Sequence, residues 1–77
     1  MSTNLYWRPN QPVKKYNAGP DAGLKWALEK RFGQYINEVM TVSHIEYLRG
    51  LADADIKGAQ DLIDAIEKYD EIQVFTE

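Results

Sequence analysis

SHIEYLRGLADADIKGAQDLIDAIEKYDEIQVFTE, residues 43–77, is the stretch whose reading decides the fold. Ile56, Ala59, Leu62, Ile63, Ile66 and Tyr69 recur at helical spacing and make one apolar stripe. Lys57, Gln60, Asp61, Asp64, Glu67 and Lys68 fall mostly on the other side. The pattern predicts a long amphipathic helix ending near Tyr69. Upstream, Ser43-His44-Ile45-Glu46 fits a capping box: the serine oxygen accepts from the Glu46 N–H, and the Glu46 carboxylate reaches back to the Ser43 N–H. A first helix is expected from there to about Ala52, burying Ile45, Leu48 and Leu51 in part. Asp53-Ala54-Asp55 breaks the pattern, and either aspartate suits the cap of the helix that follows. Residues 72–76 close as a strand, Ile72 and Val74 on one face, Gln73 and Phe75 on the other.

The N-terminal half is less regular. Residues 4–8 read as a short strand with Leu5 and Trp7 on one side, Tyr6 and Arg8 on the other, stopped by Pro9, which has no backbone donor. Residues 9–19, with Pro9, Asn10, Pro12, Asn17 and Gly19 around Lys14, Lys15 and Tyr16, have the composition of a loop-like basic arm. Pro20 suits a first helical turn and Asp21 complements the helix dipole. A helix over about 20–32 follows, with Leu24, Ala27, Leu28, Arg31 and Phe32 on one face and Gly33 as its C-terminal cap. Residues 34–42 have no clean period. A strand near 38–41 is expected, against the competing reading of a helix continuing past Gly33. The fold class is therefore α+β: one domain over residues 1–77, a small two- or three-stranded sheet with about three helices on one face. The terminal strands lie side by side if the sheet has a third member.

Composition narrows the function classes. The 77 residues contain no cysteine, which excludes disulfides and cysteine-bound zinc and fits a reducing compartment. The first residues are polar and lead into Tyr6-Trp7-Arg8-Pro9, so no signal peptide is expected, nor is any segment long enough to span a membrane. A soluble cytoplasmic protein is the expectation. Charge is unevenly placed. Residues 1–33 hold six cations against two acids, a balance of +4, and residues 34–77 hold three against ten, −7. Such asymmetry reads as a basic patch for an acidic partner, as a head-to-tail contact in a homo-oligomer, or as surface charge clustered along a short chain.

No catalytic constellation emerges. The one histidine, His44, adjoins Ser43, but neighbours at a helix start point apart and a relay needs a base and an orienting partner. Asp53, Asp55, Asp61 and Asp64 approximate the spacing of a calcium-binding EF-hand loop. Lys57, however, stands where an oxygen ligand belongs, Asp64 replaces the longer bidentate glutamate, and the helical stripe runs through the supposed loop. Capping aspartates before an acidic helix face account for the pattern, and neither metal nor cofactor is expected. The acids at 61, 64 and 67 read as a solvated face. Gly19–Gly23 lacks the lysine and hydroxyl of a phosphate loop.

Binding is the remaining class. Arg8, Lys14 and Lys15 alternate with Trp7 and Tyr16, and Lys25, Lys30 and Arg31 extend the positive half, a pattern that neutralises phosphate while aromatics stack on bases. A pI near 5.0 and the acidic second half oppose that reading. Trp26 lies about 200° round the helix from Leu24 and misses the Leu24/Leu28 stripe. Either residues 9–18 fold over it, with Pro12 or Tyr16 as cover, or it is an exposed anchor for a protein partner. The candidate partner-binding residues are Trp26, Tyr16, Lys14, Lys15, Arg8 and Lys30.

Leu5-Tyr6-Trp7-Arg8-Pro9, Arg31-Phe32-Gly33, His44-Ile45-Glu46-Tyr47-Leu48 and Ile63-Asp64-Ala65-Ile66-Glu67-Lys68 together resemble small bacteriophage-type accessory proteins. None of these strings is a functional signature, so no site is carried over. The resemblance implies a class whose members bind and inhibit or redirect a host protein, host defence complexes included. The expectation is a non-enzymatic protein-binding module, with a nucleic-acid-binding accessory protein as the alternative.

Overall fold

The computed structural model describes residues 4–9, 14–19 and 22–77. Their elements run β1 (Leu5–Pro9), β2 (Tyr16–Asn17), α1 (Gly23–Phe32), β3 (Asn37–Thr41), a 3₁₀ turn (Val42–His44), α2 (Ile45–Asp53), α3 (Ala59–Tyr69) and β4 (Glu71–Thr76). The sheet has the order β2-β1-β4-β3 and every pairing is antiparallel. The chain ends meet at its centre: Leu5 pairs with Thr76 and Pro9 with Ile72, and Asn4 and Glu77 exchange backbone hydrogen bonds of 3.0 and 3.2 Å. The sheet is one strand larger than the sequence predicts. The extra strand is β2, inside the stretch expected to be all loop. Two residues carry no readable period, and β2 exists because β1 offers it a partner at Tyr6 and Trp7.

Alternation sorts the sheet into two faces. Leu5, Met40, Ile72 and Val74 join Leu24, Leu28, Leu48, Leu62, Ile63 and Ile66 in one buried cluster, so the helices cover one face. Burying each of these side chains is worth about 1.5–3 kcal/mol of transfer free energy. Tyr6, Arg8, Gln73 and Phe75 point to the helix-free face, as the sequence pattern predicts for both terminal strands.

The helix boundaries move by a few residues, with physical reasons. The expected start of α1 at Pro20 and Asp21 lies outside the described residues, as does Pro12. Its end at Gly33 is as expected: the glycine takes φ 96° and its N–H donates to the Glu29 carbonyl at 2.9 Å, which rules out a helix continuing past it. The expected capping box is displaced. Thr41, not Ser43, has the extended backbone of a cap. The Thr41 N–H donates to His44 Nδ1 at 3.1 Å, and the His44 backbone N–H donates to the Thr41 hydroxyl. Ser43 Oγ instead lies 2.9 Å from Thr41 Oγ1. The 3₁₀ turn starts the helical run two residues early, so the donors needing partners are those nearest Thr41. Neither Asp53 nor Asp55 caps α3. Its cap is Gly58 at φ 95°, with no side-chain hydrogen bond, and Asp55 is itself left-handed at φ 64°. No helix among the described residues is long and apolar enough to cross a membrane.

Candidate functional site

The six candidate binding residues do not form one patch. Trp26 stands on the outer side of α1, 61 % exposed, with exposed Lys30 one turn further along. The buried side of that helix is held by Leu24 and Leu28, both with no exposed surface. The described residues of the 9–18 arm therefore do not bury the indole: Tyr16 stacks instead on Trp7, ring centroids 4.7 Å apart.

Arg8 and Lys15 lie on the opposite side of the molecule, on the helix-free sheet face. The Arg8 guanidinium sits 5.0 Å above the Phe75 ring, and its Nε donates to Gln73 Oε1 at 2.8 Å. Gln73 Nε2 then donates to Asn37 Oδ1 at 2.7 Å, carrying the polar chain across β1, β4 and β3. Lys15 lies 4.4 Å above the Tyr6 ring and is ion-paired with Glu77. The hydrogen bond to Glu77 raises the Lys15 pKa above its ordinary value. Phe75 is only 9 % exposed on this uncovered face because these side chains lie over it.

Tyr16 and Lys14 belong to a third surface. Register places Tyr16 opposite Trp7, on the helix side of the sheet. Together with α3 they border a cleft of about 450 Å³ lined by Trp7, Tyr16, Asn17, Asp61, Asp64, Ala65, Lys68 and Tyr69. The sequence pattern places Trp7 on the Leu5 side of its strand, Tyr69 at the end of an apolar stripe and Asp61 and Asp64 on a solvated face. It had no way to bring them together. The available signal was Ala65, a small side chain among the leucines and isoleucines of α3. A second feature also escaped notice: Tyr35, Val39 and Val42 are exposed on and beside β3, an edge strand.

Near α2, Arg31 lies 4.4 Å from the Tyr47 ring centroid, and Phe32 meets the same ring edge-on at 6.1 Å. Burial raises the Tyr47 pKa above 10.0, and the Arg31 charge opposes the rise. Residues 59–64, the second half of the supposed calcium loop, are the first turns of α3. No three acidic or imidazole groups converge on one point among the described residues. No protein-family model, curated protein or solved structure matches the chain.

Proposed function

We propose that this is a non-enzymatic protein-binding module that acts by occupying a surface of a larger partner, with the outer side of α1 as its contact. The carrying observation is Trp26, 61 % exposed on a helix whose opposite side is fully buried. An exposed tryptophan on a rigid helix gives a large contact area with little side-chain entropy to lose, and such residues dominate interface energies. Exposed Lys30, one turn along α1 from Trp26, gives that surface positive charge. The partner surface it fits is an apolar pocket rimmed by acids. The resemblance to phage accessory proteins adds a bacterial host protein, a defence complex among the options, as the kind of partner, met in the cytoplasm.

Wild-type protein and Trp26→Ala, immobilised side by side and exposed to bacterial lysate, test the reading. A protein retained by the wild type and lost from a variant with an unchanged thermal melt is the expected result. Equal retention by both, or no specific retention, overturns it.

The nucleic-acid reading has one observation in its favour: Tyr6 and Phe75 on the two central strands, with Arg8 and Lys15 beside them, resemble a stacking platform. The cations already lie over those rings, however, where bases would have to stack. A low-salt mobility-shift series separates the two, because phosphate contacts weaken steeply as salt rises.

A further inference from the structure

We propose that β3 is a dimerisation strand: two copies of this chain join their β3 edges antiparallel across a two-fold axis and merge their sheets into one. The contact uses the sheet edge and not α1, so it is separate from the Trp26 surface. The sheet has two edges, and they differ. β2 is two residues long and follows exposed Lys14 and Lys15, which discourages pairing. β3 has five residues, no lysine, no proline and an uninterrupted register with β4 from Asn37 to Thr41. Its outward groups can be identified. The Thr76 N–H donates to the Ile36 carbonyl at 3.0 Å, so that carbonyl points at β4. Alternation turns the backbone groups of Glu38 and Met40 the same way and leaves those of Asn37, Val39 and Thr41 facing outward. Val39 is 54 % exposed, and Tyr35 and Val42, 81 % and 63 % exposed, stand just beyond the two ends of the strand.

Register selects a second copy as the occupant. Outward-facing residues must meet outward-facing residues, which restricts where the two-fold axis can sit. Centring it on Glu38 sets the two Glu38 side chains opposite each other, like charge against like. Centring it on Met40 pairs Val39 with Thr41, whose N–H already donates to His44 Nδ1 at 3.1 Å, and so loses half of the central bonds. Centring it on Val39 keeps both bonds of the central pair. Val39 then exchanges N–H and carbonyl with the second copy's Val39, and each Asn37 N–H donates to the other copy's Thr41 carbonyl, while the Thr41 N–H stays with His44. Glu38 stands opposite Met40. The two valines meet on the helix-free face, the side that Gln73 occupies on β4. Tyr35 of one copy comes to the end that carries Val42 of the other. The exposed apolar side chains of this edge thus cover one another, and the one charged side chain of the strand meets no like charge across the ladder. A strand from an unrelated protein gains the backbone bonds without this matching.

Sedimentation equilibrium between about 10 μM and about 1 mM tests the proposal, a range suited to the small area that one strand pair buries. The expected result is a reversible monomer–dimer equilibrium. As concentration rises, the amide protons of Asn37 and Val39 should exchange with solvent more slowly, since they face water in the monomer. In a sample mixed from labelled and unlabelled chains, NMR should show Val39 in contact with Val39 of the other copy. Val39→Lys sets two ammonium groups opposite each other and should weaken dimerisation by about tenfold or more. If that variant folds poorly, the amide exchange and the mixed-label contacts of the unsubstituted chain still decide. Trp26→Ala should leave the dimer unchanged even if it abolishes capture of a partner, so the two surfaces stand or fall separately. A chain monomeric throughout the range, a folded Val39→Lys that dimerises as before, or contacts between copies centred on α1 overturns the proposal. So does a dimer that dissociates as salt rises, which would mark a contact between basic and acidic halves. Slowed exchange of β3 only when another protein is added overturns it as well.

Discussion

Gly58 stands against the backbone of Ala18: a Cβ built on the glycine would lie closer to the Ala18 carbonyl oxygen than real carbon atoms approach, and 3.0 Å from Leu24 Cδ2. One residue thus fixes how the α2–α3 joint seats on the chain between β2 and α1. It also needs φ 95°, which L side chains rarely adopt. Gly58→Ala should destabilise by about 2 kcal/mol or more, from a left-handed backbone penalty plus a backbone clash. Gly50, inside α2 with open space around it, is the control. Gly50→Ala should stabilise by about 0.5–1 kcal/mol. Denaturant melts of the two variants check both signs.

Trp26→Ala should change stability by no more than about 0.5 kcal/mol, the effect of a surface substitution. A buried indole would instead cost about 3–5 kcal/mol. Where a partner is captured, the same variant should weaken binding by about 2 kcal/mol or more. A melt and a binding isotherm on one preparation give both numbers.

The cap of the 3₁₀ turn can be located by substitution. Thr41→Val removes the hydroxyl that accepts from His44 and should cost about 1 kcal/mol. Ser43→Ala removes a hydroxyl that bonds only side chains, Thr41 Oγ1 at 2.9 Å and His44 Nδ1 at 3.4 Å, and should cost clearly less. The reverse order in urea denaturation would restore Ser43 as the cap.

Asp55 carries φ 64° before α3 and makes no cap. Asp55→Gly should therefore stabilise or leave stability unchanged, by up to about 1 kcal/mol, because glycine reaches that backbone region freely. A helix-capping aspartate would lose stability on the same change. The two readings differ in sign, so one equilibrium denaturation curve is enough.

Tyr47 gives stability a dependence on alkaline pH. Burial raises its folded pKa above 10.0, while the unfolded chain keeps the ordinary value. Between the two values the folded state holds a proton that the unfolded state has lost. Its contribution is intact below the unfolded pKa and is lost as pH rises through the folded one. Tyr47→Phe should narrow the gap in stability between about pH 8 and about pH 11, measured as a difference from wild type. An identical pH profile for both proteins would exclude burial of this hydroxyl as its cause.

Much of the fold was legible because it rests on local periodicity. The α3 stripe, the Leu24/Leu28 face, the Gly33 stop and the alternation in both terminal strands need only a repeat of 3.6 or 2 and a residue that ends it. Edge elements were legible only in part. The strand expected near 38–41 is β3, although it turns Val39 outward and half-buried Glu38 inward and so carries a weak pattern of its own, whereas β2, with two residues, carries none. The left-handed Gly58 was masked by two aspartates that look like caps.

For the candidate sites the division follows the same rule. The sequence showed that Trp26 misses the buried stripe of its helix, because an angle round a helix is a local quantity. Whether anything covered the indole was decided by long-range packing: Tyr16 goes to Trp7 across the β1–β2 pairing. The cleft was invisible for the same reason. Trp7, Tyr16, Asp61, Asp64 and Tyr69 span most of the chain, and only the antiparallel closure of the sheet with α3 packed over it brings their side chains to one place.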